Sequence, residues 1–291
     1  MKHWNLLFLV IIFFSCSKQL SNSDERPPIE IGEFVNDWEY RFFLEEPNQN
    51  AFKMWIPEGV SPRAILVLST GGANDGRYLA DDEKWQAYAT KERLAIIGTY
   101  VRSTTSEASF NLIYALDKIC KRNTIEEVSK LPILINGFSH GGVFSYQFSL
   151  QYPDRTLAFS NIKGSMSPSS TASPPGLLIV GDKDLASRNT TIKNTFLSLR
   201  SQGSIVCYAA DPNGYHSVDD KTNDLVRSFF TAILKKRLVN SKIVTIDETS
   251  LYLGNVSTFK SYPHSSYPED KTTASCLIDE DFTTDWMNFV K

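Results

Sequence analysis

Two kinds of apolar segment alternate along the chain. Short, nearly continuous runs fall at residues 64–69 (AILVLS), 95–100, 133–135, 157–163, 177–180 and 204–209. Runs of this length without polar alternation suit strands buried on both faces. Between them, apolar residues recur with helical spacing. Residues 82–93 carry Trp85, Tyr88 and Ala89 on one face, and residues 109–122 carry Phe110, Ile113, Tyr114, Leu116 and Cys120. Residues 143–152, 192–201 and 225–238 complete the set of expected helices, the last with Lys235, Lys236 and Arg237 where a helix C-terminus favours cations. Strand and helix in alternation predict an α/β domain with a mostly parallel central sheet and helices on both faces. Two β-rich runs, residues 38–44 and 51–56, predict an antiparallel hairpin leading into that sheet.

Both ends break the pattern. Lys2 and His3 precede an apolar run over residues 6–14, followed by Ser15-Cys16. A basic start and so short a run fit an export signal rather than a membrane span, which needs about 20 residues. The Ser-Cys step resembles a bacterial lipoprotein signal, with Phe13 where leucine is usual. That resemblance implies cleavage before Cys16, its acylation, and a membrane partnership through the lipid. A plain signal peptide cut further on is the alternative, leaving the protein periplasmic or secreted. Residues 1–16 are then the signal and 17–35 a polar tether. Residues 36–238 form the α/β domain, and 239–291 an appendage. In the appendage, residues 243–246 and 251–253 are expected as short strands and 262–268 as irregular. Residues 279–290 are expected as a helix packing Phe282, Trp286, Phe289 and Val290 on the core.

The net charge of −3 leaves no basic footprint, so nucleic acid is not an expected partner. Setting Cys16 aside, Cys120, Cys207 and Cys276 form neither a disulfide framework nor a metal-ligand spacing. Cys120 and Cys207 read as core residues. No metal or cofactor is expected.

The chemistry gathers at Gly137-Phe138-Ser139-His140-Gly141, between an apolar strand and a helix. G-x-S-x-G in that setting predicts a sharp turn with the serine at its apex in a strained, positive-φ conformation. The flanking glycines remove side chains that would collide. A structural glycine turn is the plainer reading of the motif alone. A serine hydroxyl needs a base, and elimination among four histidines leaves His216. His3 lies in the signal, His264 in the appendage, and His140 adjoins Ser139 without being able to fold back on its Oγ, so it is expected to shape the site entrance. His216 follows the last expected core strand and precedes the last core helix. An orienting carboxylate is expected from Asp184, just past the 177–180 strand, with Asp182 as its competitor. The backbone N–H of His140 and one from the loop at residues 70–76, Gly72 first and Gly71 close behind, would form an oxyanion hole.

Together the elbow, that glycine-rich loop, Gly181-Asp182-Lys183-Asp184 and Gly214-Tyr215-His216 resemble the α/β-hydrolase superfamily over residues 38–238. Within it the chain is similar to secreted feruloyl-esterase, acetyl-xylan-esterase and polyhydroxyalkanoate-depolymerase types. Ser69-Thr70 stands where those proteins usually carry His-Gly. The resemblance implies a serine carboxylesterase acting through Ser139, His216 and Asp184, on an ester that could be borne by an acylated polysaccharide. Residues 166–175 leave little room for a lid, so an open site is expected, lined by Tyr100, Phe138 and Tyr215. Two rivals are a serine peptidase of the prolyl-oligopeptidase type, for whose gating domain there is no sequence here, and a non-catalytic surface lipoprotein that binds glycan or protein.

Overall fold

The structure is a computed structural model that describes residues 32–42, 49–72, 74–102, 104 and 106–291. The expected signal, Cys16 and residues 17–31 of the expected tether lie outside the described residues. The first strands are β1 (Gly32–Asn36), β2 (Glu39–Phe42) and β3 (Asn50–Trp55). Then follow β4 (Ala64–Ser69), α1 (Glu83–Glu92), β5 (Leu94–Val101), α2 (Ser106–Arg122), β6 (Ile133–Phe138) and α3 (His140–Gln151). The domain continues with β7 (Thr156–Ile162), β8 (Gly176–Gly181), α4 (Ala186–Ser201), β9 (Val206–Asp211) and α5 (Asp220–Arg237). Among the described residues the main sheet has nine strands in the order β1-β2-β3-β5-β4-β6-β7-β8-β9. The pairs β1–β2, β2–β3 and β3–β5 are antiparallel, and every later pair is parallel. This is the α/β-hydrolase architecture, as expected. The expected hairpin is β2–β3, and β1 extends it into residues 32–35, so the end of the expected tether is strand.

The strand runs are unbroken because both faces are covered. Along β4, Leu66 and Leu68 join one core with Trp85 of α1 and Phe229 of α5, while Ile65 and Val67 join the other with Leu112 of α2 and Phe144 of α3. Successive side chains point to opposite faces, so each face draws on alternate residues. The chain leaves β4 for β5 on one side and later takes β6 on the other. Such a reversal opens a crevice at the strands' C-terminal ends, where open α/β sheets bind ligands.

Residues 238–291 add β10 (Leu238–Val239), β11 (Lys242–Ile243), β12 (Tyr252–Gly254), β13 (Ser261–Pro263), β14 (Ser275–Leu277) and α6 (Glu280–Phe289). Two expectations change. Residues 244–246 are not strand, and Ile246 is instead a buried non-strand residue; the segment read as irregular begins in β13, which pairs with β12. The expected helix is α6, with Phe282, Trp286, Phe289 and Val290 all buried. Cys120, Cys207 and Cys276 are free and buried.

The appendage lies against β9, the edge strand of the main sheet. The Ser275 hydroxyl accepts from the Tyr208 N–H at 2.9 Å and donates to the Tyr208 carbonyl at 2.9 Å. Trp286 Nε1–H donates to the same carbonyl at 2.9 Å. Buried Arg200 of α4 donates to the carbonyls of Ala274 and Lys271 at 2.8 and 2.7 Å and pairs with Glu248 at 2.7 Å. Side chains thus satisfy an edge that would otherwise invite pairing with another chain. Trp286→Ala, which empties the centre of this seam, is expected to cost about 3–5 kcal/mol in urea unfolding and to promote aggregation. A loss below about 1 kcal/mol would show that the appendage is not part of the core.

Candidate active site

Ser139 stands between β6 and α3 at φ 53°, ψ −114°. Its N–H donates to the Ile162 carbonyl of β7 at 2.7 Å, and its carbonyl accepts from Val143 at 3.1 Å. The turn closes so tightly that a β-carbon on Gly137 would overlap the Gly141 carbonyl. His140 is the first residue of α3, so its backbone N–H has no partner within the helix. The next amide, Gly141, is tied to the Thr70 carbonyl at 3.1 Å, which joins the elbow to the loop after β4.

That loop is itself fixed. Asn74 Nδ2 donates to the Gly71 carbonyl at 2.9 Å, and the Gly76 N–H donates to Thr99 at 3.0 Å. Arg77 pairs with Asp75 at 2.6 Å and Glu39 at 3.4 Å. Gly71 is the glycine pressed on the elbow: a β-carbon there would lie 2.8 Å from the Phe138 ring and 3.1 Å from Ser139 Cβ. Gly72 adopts φ +63°, which suits glycine. Gly71 therefore flanks the serine's side of the crevice, while Gly72 supplies the turn that follows it.

The structure brings Ser139, His216 and Asp184 together. His216 Nε2 lies 3.0 Å from Ser139 Oγ, and His216 Nδ1 lies 2.8 Å from Asp184 Oδ2. The Asp184 side chain is 2% exposed and that of His216 33%, so solvent reaches the imidazole but hardly the carboxylate. Burial works to raise the Asp184 pKa, but hydrogen bonds from His216 and the Leu185 N–H, with the charges of His216 and Arg188, outweigh it and hold the carboxyl below its usual range. Asp182, the competing carboxylate, is exposed, and its N–H is spent on the Asp211 carbonyl at 2.9 Å. His264 sits in the appendage, 4.0 Å from Glu248.

The other expected residues divide. Phe138 packs on His216, ring centroids 5.0 Å apart, and so walls the imidazole as well as the crevice. Tyr215 is 62% exposed beside His216, with the Lys183 ammonium 5.4 Å from its ring centroid. Tyr100 is half-buried near the end of β5, where Arg102 donates to its hydroxyl at 3.3 Å. The His140 side chain is half-buried: its Nε2 is enclosed without a hydrogen-bond partner among the described residues, and burial lowers its pKa. Two residues were missed. Arg188 forms an ion pair with Asp184 Oδ1, and its Nη1 lies 3.0 Å from His216 Nδ1. Its position four residues past Asp184, at the start of a helix, was the available signal. Lys163, buried beneath the crevice, had none. Among the described residues no three His, Cys, Asp or Glu side chains are grouped to hold a metal.

No protein-family model matches the sequence, and no curated protein matches it. Solved structures do. One is the poly(3-hydroxybutyrate) depolymerase LpqC from Bordetella parapertussis, with TM-score 0.51 and 12% identity over 66% of this chain and 88% of that one. Another is a ferulic acid esterase, with TM-score 0.50 and 13% identity over 67% of this chain and 97% of that one. At these identities the likeness is one of fold.

The carboxylate supplies a pH test. A lowered folded pKa means that Asp184 contributes stability above the unfolded value of about 3.9, and that this is lost as pH falls through the lowered value. Asp184→Asn is therefore expected to be less stable than wild type at pH 7 in urea unfolding, with the gap narrowing progressively as pH falls below about 3.9. A gap independent of pH would show that the ionised carboxylate is not stabilised in the fold.

Proposed function

We propose that this chain is a serine hydrolase that cleaves carboxylic esters. The observation that carries the reading is the unbroken hydrogen-bonded series from Ser139 through His216 to Asp184. His216 Nε2 takes the hydroxyl proton as Ser139 Oγ attacks the ester carbonyl. The N–H groups of His140 and of Gly72 or Gly71 receive the oxyanion. His216 then returns its proton to the departing alcohol oxygen, leaving an acyl-Ser139. The same nitrogen next takes a proton from water, which attacks the acyl carbon, and returns it to Ser139 as the acid leaves. Asp184 holds the imidazole with Nε2 facing the serine and balances its positive form.

The substrate is an ester on a polymer, acylated polysaccharide first. Support comes from the connection between β7 and β8, residues 163–175, which holds neither helix nor strand and so carries no cap. Tyr215 and Leu185, each 62% exposed, flank His216 and Asp184 and offer apolar surface for an acyl or aryl group; Phe138 and Tyr100 extend the lining. The domain works outside the cytoplasm, held to a membrane through acylated Cys16.

The decisive experiment is fluorophosphonate labelling with peptide mapping, beside turnover of short acyl esters and acylated oligosaccharides. Wild type is expected to label at Ser139, and Ser139→Ala to lose labelling and at least about 10⁴-fold in kcat/KM. Folded wild type that neither labels nor turns over would favour a binding protein, and faster cleavage of peptide amides than of esters would favour the peptidase. Separately, labelled fatty acid is expected to enter the exported protein and to be absent from Cys16→Ser. Equal labelling of both would remove the lipid anchor.

A further inference from the structure

Lys163 is a lysine where the fold gives little reason for one. It follows β7 directly, is 2% exposed, and sits at φ +56°, a conformation that glycine adopts far more readily. Burying an ammonium costs several kcal/mol unless partners offset it. Its partners lie in the loops that carry the reacting groups. The Nζ donates to the Ser217 carbonyl at 2.7 Å, one residue past His216. The Lys163 N–H donates to Ile179 of β8, the strand that ends just before Asp184, at 2.8 Å. The preceding residue, Ile162, accepts the Ser139 N–H at 2.7 Å. The next, Gly164, lies so close to the elbow that a β-carbon on it would overlap the Ser139 carbonyl. Asn161 locks the turn, accepting from the Gly164 N–H at 2.8 Å and donating to its carbonyl at 3.0 Å. Asp184, Asp211 and Asp219 surround the ammonium with negative charge.

We propose that Lys163 is a positioning residue, which fixes the His216 loop against the elbow and the Asp184 loop by holding the Ser217 carbonyl. The catalytic consequence rests on the esterase reading above; the geometry does not. Ser217 itself is tied back to the Tyr215 carbonyl at 2.8 Å, so the lysine grips a loop folded closely around the histidine. Without it, the His216 backbone loses its anchor, and the bond from His216 Nδ1 to Asp184 is no longer held in one geometry. Misplacement by about 1 Å can cost about 10²-fold in rate.

The test uses Lys163→Met, which keeps length and removes the donor, and Lys163→Gly, which also suits the positive φ. Three properties are read on each folded variant: thermal stability, kcat and KM separately, and the far-downfield NMR signal of the proton between His216 Nδ1 and Asp184. We expect kcat to fall about 100-fold with KM within about threefold, and the downfield signal to broaden or vanish. Wild-type kcat with an unchanged signal in either folded variant would overturn the proposal. So would a loss of stability alone, with the signal intact. If wild type turns over no ester, the esterase reading fails, but the proton signal in wild type and variants still decides whether Lys163 positions His216.

Discussion

A single strained residue sets the geometry of the whole crevice. Ser139 holds φ 53°, a region that costs a non-glycine residue about 1–3 kcal/mol and persists only when its surroundings determine it. Those surroundings are specific. Ile162 takes the serine's N–H, Thr70 takes that of Gly141, and Gly137 has no side chain to block the turn. The strain is therefore held by β7 on one side and by the loop after β4 on the other. The same bonds bring the first amide of α3 and the glycine loop to one side of the serine. The Ser139 hydroxyl and the His140 amide are products of one turn, and neither can be moved without the other.

The second constraint is charge. Asp184 is enclosed yet ionised, because three donors converge on it: the imidazole, the Leu185 amide and Arg188. A guanidinium carries no acceptor, so its approach to His216 Nδ1 is compatible with a proton on that nitrogen only if Asp184 is the shared acceptor. Arg188 donates to Asp184 Oδ1 while His216 Nδ1 lies against Oδ2, which fits that division. It fixes the tautomer that leaves Nε2 free to accept from Ser139. Arg188 thus orders the pair from behind, while Phe138 confines the ring from the side.

How much of this was legible depended on whether a feature is local. The buried strands and the α/β order show as apolar runs, because parallel strands need apolar residues on both faces. The elbow shows because a close approach of backbone demands Gly137 and Gly141. His216 and Asp184 could be placed by their position after strands, since loops at the C-terminal ends of parallel strands meet. Lys163 could not, because its role lies in a bond to a carbonyl 54 residues away that no side-chain type announces. β1 was hidden in a polar stretch: it is a partly exposed edge strand, held by Phe34 against Tyr40 and by antiparallel pairing with β2. The enclosure of His140 Nε2 also depends on tertiary packing, which the motif leaves open.

The appendage gains meaning from where β9 leads. Its last residues run directly into the loop that bears His216, and Asp211 at its end accepts from Asn213 at 3.1 Å and pairs with Lys221 at 3.5 Å. An edge strand has neighbours on one side only, so its position is less determined than that of β4 or β6. Ser275 and Trp286 supply the missing side by bonding both backbone groups of Tyr208, and Arg200 clamps the segment that delivers them. The appendage therefore packs on the strand that leads into the histidine loop. Its contacts are buried and directed at the sheet edge, so the backbone groups of Tyr208 that an edge strand would leave open are satisfied from within the chain.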